Sequence, residues 1–124
     1  MTNPRLRLGN WGERVARNFL VEKGYRVLET GFRSAWGEVD IVARHEEELV
    51  FVEVRTRRGT ALGTPQESVT RAKARRLTAT AQSYMEERAV AGADWRIDLI
   101  SIVLDSRGLV QELSHLTHAV EAEE

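Results

Sequence analysis

Cysteine is absent from this 124-residue chain. That excludes a disulfide framework, a thiol nucleophile and a cysteine zinc site, and it leaves packing as the source of stability. No run approaches the ~18 apolar residues of a membrane span, and the basic start Met1-Thr2-Asn3-Pro4-Arg5-Leu6-Arg7 has no apolar stretch after it. Neither a secreted nor a membrane-embedded protein is expected, and a cytoplasmic setting is. Internal repeats, low-complexity segments and linker-like stretches are also missing. Net charge is nearly missing too: at −1 it argues against a protein that coats nucleic acid by total charge alone.

What is present suits one folded unit. With 42% hydrophobic and 30% charged residues, a chain of this size can bury roughly two thirds of its unfolded surface. One domain is expected over residues 1–120, with residues 121–124 an acidic tail that frays. The near-neutral total conceals an uneven distribution. Between Arg55 and Arg76, seven bases (Arg55, Arg57, Arg58, Arg71, Lys73, Arg75, Arg76) face the single acid Glu67. The balancing acids lie elsewhere, in Glu46 to Glu48 and in the tail. One basic surface is therefore expected, although for any one of these residues a solvated helix face explains the charge better than a phosphate contact does.

Hydrophobic spacing predicts the order α-β-β-β-α-β-β. Trp11, Val15 and Phe19 recur every four residues, predicting an amphipathic helix from Leu8 to Lys23 that stops at Gly24. Gly9, Gly12 and Ala16 line one flank of it, where a neighbouring backbone can come close. Tyr25 to Leu28 reads as a short strand and Thr30 to Gly37 as a loop. Glu38–Ala43 and Leu49–Arg55 form a β-hairpin with a charged tip at Arg44 to Glu48. Alternation puts Glu53 and Arg55 on one face, opposite Val50, Val52 and Val54, and groups Asp40 with Glu38 and Val42. After a flexible connection from Gly59 to Pro65, a long helix is predicted from Pro65 to about Val90. Lys73 falls within its buried stripe of Val69, Leu77, Ala81 and Tyr84, and so points at the sheet. Trp95 to Leu104 is a strand, Asp105 to Gly108 a turn and Leu109 to Leu116 a final strand.

The hairpin carries the candidate chemistry. Asp40 on one strand and Glu53-Val54-Arg55 on the next bring two carboxylates and a base to one region. Carboxylates so placed repel unless a cation compensates, and hard oxygen donors suit Mg²⁺ or Mn²⁺. Such an ion could activate water and stabilise charge on a phosphate.

The residues Gly37-Glu38-Val39-Asp40-Ile41-Val42-Ala43 and Val50-Phe51-Val52-Glu53-Val54-Arg55-Thr56-Arg57, preceded by Gly12-Glu13-x-x-Ala16 and followed by Lys73, together resemble the YraN family of bacterial proteins over nearly the whole chain. That family is similar to the Holliday-junction-resolvase branch of the restriction-endonuclease-like superfamily. The resemblance implies a three-layer α/β fold with a mixed central sheet flanked by helices. It matches Asp40 and Glu53 to the metal-binding acids of the PD-(D/E)xK nuclease motif, and Glu13 to the first-helix acid that joins them. Arg55 stands where the motif has lysine. Arginine cannot serve as a general base, although it can clamp a phosphate. Lys73 is the candidate for supplying the missing amine.

These readings imply a Mg²⁺- or Mn²⁺-dependent nuclease acting on DNA rather than RNA, on branched or single-stranded substrates. In it Glu13, Asp40 and Glu53 hold metal, Arg55 and Lys73 contact the scissile phosphate, and Arg57, Arg58, Arg71, Arg75 and Arg76 guide the backbone. A homodimer would suit a branched substrate. The alternatives are a non-catalytic nucleic-acid-binding module with a degenerate site, and a structural protein whose acids only pair with nearby bases. Each residue also has a plain explanation: a strand surface pair for Asp40, a snorkelling lysine for Lys73, a helix-surface acid for Glu13. His45, His115 and His118 show no zinc spacing and read as solvent-facing. Asp98, inside an apolar strand, reads as a buried acid paired with Arg96 or another base, ahead of a role in supporting the basic surface. Trp36 is the one tryptophan placed to stack on a base, since Trp11 and Trp95 fit core stripes.

Overall fold

Helical periodicity at one end of the chain and two-residue alternation after it assemble three layers. The computed structural model describes residues 4–59 and 69–120. The first helix, α1 (Pro4–Glu22), starts earlier than Leu8 because proline is tolerated in a first turn. It ends at Glu22, just before the predicted stop at Gly24, with the Tyr25 N–H returning to the Leu20 carbonyl at 2.9 Å. Strands β1 (Arg26–Ser34), β2 (Gly37–His45) and β3 (Glu48–Arg58) follow, then α2 (Arg71–Glu87), β4 (Asp94–Leu104) and β5 (Val110–Val120). The predicted element order holds. One five-stranded sheet runs β1-β2-β3-β4-β5, with β3 and β4 parallel and every other neighbouring pair antiparallel.

Three expectations are corrected. The stretch Thr30 to Gly37 is not a loop: β1 continues through Ser34, and only Ala35 and Trp36 make the turn into β2. Gly31 had signalled the loop, and its φ of 66° is instead a kink inside a strand, a conformation glycine adopts without penalty. The second helix begins at Arg71, because Thr70 holds an extended backbone and its side chain caps the Lys73 N–H. Pro65, the proposed start, lies outside the described residues, as do most of the Gly59 to Pro65 connection and the tail at 121–124. The last strand also runs four residues past Leu116.

Each sheet face has its own core. Ala16 and Leu20 of α1 pack on Ile41, Ala43, Val50 and Val52, whereas Leu77, Ala81 and Tyr84 of α2 pack on Phe32, Val42 and Phe51. The result is an α/β/α sandwich of the restriction-endonuclease-like kind. Among the described residues, no helix is long and apolar enough to cross a membrane.

Candidate active site

The β2–β3 ladder is regular from His45↔Glu48 to Ile41↔Val52 and then stops. Just past it, the Val54 backbone N–H donates to Asp40 Oδ2 at 2.7 Å, so a side chain takes over where main-chain pairing ends. Alternation breaks at the same place. Val39 joins the core under α2 while Ile41, two residues on, joins the core under α1. Asp40 thus sits where β2 changes face, and its carboxyl reaches across to β3. Asp40 and Glu38 line one pocket, as expected, but Val42 packs apart from them under α2. Burial, above all, pushes the Asp40 carboxyl up to about 7, and the negative charges of Glu53, Glu13 and Glu38 add to the push against the Val54 hydrogen bond.

Glu53 lies on the face opposite Val52 and meets α2. Lys73 Nζ is 3.1 Å from Glu53 Oε1, and neither side chain is more than 20% exposed. Lys73 therefore points at the sheet, as its helical position predicted. Its backbone N–H is held by Thr70 Oγ1 at 3.2 Å, which fixes the helix turn that carries it. Asp40, Glu53 and Lys73 thus converge from three elements.

Glu13 comes from α1. It lines an open pocket of about 670 Å³ together with Asn10, Arg33, Asp40 and Arg55. The helix approaches this closely because residue 12 is glycine: a Cβ there would fall 2.0 Å from Thr56 Oγ1. Arg55 is exposed at the pocket. Arg58, Arg71, Arg75 and Arg76 are exposed as well, whereas Arg57 is half-buried with its Nε enclosed.

Among the described residues, no three His, Asp or Glu side chains form a ready metal-ligand cluster. What the structure brings together is a pair, Asp40 and Glu53, with Glu13 acting on Asp40 through its charge. This donor set fits a hard divalent ion of the kind that takes one or two carboxylates and completes its shell with water and phosphate oxygens. The Asp40 carboxyl is raised mainly by burial and then by the charges of Glu53, Glu13 and Glu38, and a bound cation would offset both effects.

A second polar cluster lies where β3 and β4 begin. Asp98 is fully buried and accepts from Arg96 Nε at 3.0 Å and from the His118 backbone N–H at 3.1 Å, and it shares a 2.8 Å hydrogen bond with His115 Nε2. Burial pushes the Asp98 carboxyl up, but hydrogen bonds from His115 and Arg96 outweigh it and leave it below the usual range. Arg96 also donates to Glu48 and to the Tyr25 hydroxyl. The pairing of Asp98 with Arg96 matches expectation. The solvent-facing reading of His45 and His115 is overturned, since His115 is only 13% exposed and His45 stacks on Tyr25 at 4.1 Å. The missing signal was the β4–β5 register, which brings His115 beside Asp98.

Residues 12–102 match the model of a family described as "Uncharacterised protein family UPF0102". A UPF0102 protein of Roseiflexus castenholzii is 47% identical over 122 residues, 98% of either chain. One from Syntrophotalea carbinolica is 42% identical over 123 residues, covering 99% of this chain and 98% of the relative. A third, from Moorella thermoacetica, is 47% identical over 105 residues, 85% of this chain and 88% of the relative.

Proposed function

The chain belongs to the UPF0102 family, the family its YraN-like motifs indicated, and from that premise we propose that it is a divalent-metal-dependent nuclease hydrolysing DNA phosphodiester bonds on branched or single-stranded DNA in the cytoplasm. The observation that carries this reading is the convergence of Asp40, fixed by the Val54 N–H, with the Glu53–Lys73 pair at the point where β2 and β3 separate. A purely structural pairing would neutralise both acids. Here Lys73 engages Glu53, while Asp40 is left in a negative field.

Each side chain has a role that follows from its place. Asp40 and Glu53, with Glu13 across the pocket, would hold Mg²⁺ or Mn²⁺. When bound, such an ion supplies Lewis acidity toward the phosphoryl oxygen and lowers the pKa of water. Lys73, pre-positioned by Glu53 and the Thr70 cap, brings a compact positive charge to the phosphate, where negative charge builds as water attacks and the ester oxygen departs. Arg55 offers a second cation from β3 and stays charged throughout, so it clamps rather than transfers a proton. The exposed Arg71, Arg75 and Arg76 would guide the DNA backbone, and two copies related by a two-fold axis would suit a branched substrate.

The test is incubation with four-way-junction, single-stranded and supercoiled DNA in Mg²⁺ or Mn²⁺. Cleavage that disappears with chelator and with Asp40→Asn supports the proposal, and no cleavage of any substrate with either ion contradicts it. The second reading, a module that binds without cutting, is favoured by Arg55 at the motif-lysine position and by the absence of a ready three-carboxylate set among the described residues. Tight DNA binding without cleavage would support it.

A further inference from the structure

The two-residue turn between β1 and β2 presents Trp36 to solvent, with 61% of its surface exposed. Trp11 and Trp95 pack against the cores, so only Trp36 places an indole face outside the fold. The turn is well anchored. The Trp36 backbone N–H donates to Ser34 Oγ at 3.0 Å, and that hydroxyl lies 3.0 Å from Thr80 Oγ1, which is buried on α2. Gly37 sits against the same helix, since a Cβ there would lie 3.8 Å from Arg76 Cβ. The turn that carries the indole is therefore seated against α2 at Arg76 and Thr80, and Arg76 and its neighbour Arg75 are both exposed.

An exposed aromatic ring on an anchored turn, on a helix face that also exposes arginines, suits an unstacked nucleotide: the ring would take the base and the cations its phosphates. A continuous duplex keeps its bases stacked inside and offers no such face. The spacing to the candidate active site is also suitable. Lys73 lies three residues before Arg76 and seven before Thr80, about 5 to 10 Å along the helix, which corresponds to roughly one to three nucleotide steps.

We propose that Trp36 is a stacking post for an unpaired base a few nucleotides from the phosphate at Lys73, so that single-stranded or branched DNA is bound in preference to continuous duplex. The inference rests on the reading that this face binds nucleic acid. It does not require that the bound strand be cut.

Fluorescence anisotropy in EDTA, with labelled single-stranded, four-way-junction and duplex DNA, tests it on the full chain. Wild-type protein is expected to bind the first two more tightly than duplex. Trp36→Ala should lose roughly tenfold on those two and change duplex binding by no more than about twofold, while Trp36→Phe retains most of the affinity. Arg75→Ala with Arg76→Ala should weaken all three. An indifferent Trp36→Ala, an equal loss on duplex, or a Trp36→Phe no better than alanine overturns the stacking role while leaving the nucleic-acid reading in place. Wild-type binding to none of the three DNAs overturns both.

Discussion

Asp40 accepts the Val54 backbone N–H at 2.7 Å at the point where β2 and β3 cease to pair. The carboxylate is thereby fixed by main chain, which rigidifies it without neutralising it. A carboxyl pushed up by burial and by three nearby acids is a cost to the fold. Such costs are typical of sites kept for chemistry rather than for stability.

That cost has a sign. The folded carboxyl titrates at about 7 against an ordinary value of 3.8, so the folded state holds its proton more tightly than the unfolded state does. Asp40 opposes folding above about pH 7, and the opposition fades as pH falls toward about 4. Asp40→Asn keeps an acceptor for Val54 and removes the charge. In metal-free buffer it should stabilise the protein by about 1–3 kcal/mol near pH 8. The gain should vanish near pH 4, where Asp40 itself is protonated. Urea denaturation at the two pH values checks this, and a destabilised variant at the higher pH contradicts it.

Lys73 and Glu53 are largely enclosed, so removing one partner strands the other. Lys73→Met should cost about 1–3 kcal/mol and lower any cleavage at least about tenfold. Adding Glu53→Gln to Lys73→Met should restore part of the stability but none of the cleavage. This double-mutant cycle separates the structural pair from its proposed chemical use. Independent, additive effects on stability would show that the pair is not coupled.

Gly12 is required by close approach. Alanine there would press its Cβ onto Thr56 Oγ1 at 2.0 Å, forcing α1 away from β3 at a cost of about 1–3 kcal/mol. Thr56→Ala in the same chain removes the hydroxyl and should recover part of the loss. Thermal unfolding of the two variants decides the point, and a Gly12→Ala protein as stable as wild type contradicts the packing described.

The element order, the hairpin, the inward Lys73 and the Asp98–Arg96 pair were legible from periodicity and alternation, because these are local properties. Strand β1 was cut short because Gly31 carries the same composition signal whether it kinks a strand or opens a loop. The Thr70 cap was overlooked because Pro65 offered a competing helix start. The break in alternation at Asp40 was not legible at all. It depends on where β2 stops pairing with β3, and the hydrogen bond that accommodates it spans 14 residues. His115 was read as exposed for the same reason: its partner Asp98 lies 17 residues away on the neighbouring strand.

The central claim is that Asp40 and Glu53 jointly hold a divalent ion. Calorimetric titration of Mn²⁺ into wild type, Asp40→Asn and Glu53→Gln near pH 8 tests it most directly. The account predicts one site per wild-type chain, lost in either variant and weakened roughly tenfold per pH unit below about 7, as the ion competes with the Asp40 proton. Mn²⁺ binding that is unchanged in both variants would contradict it.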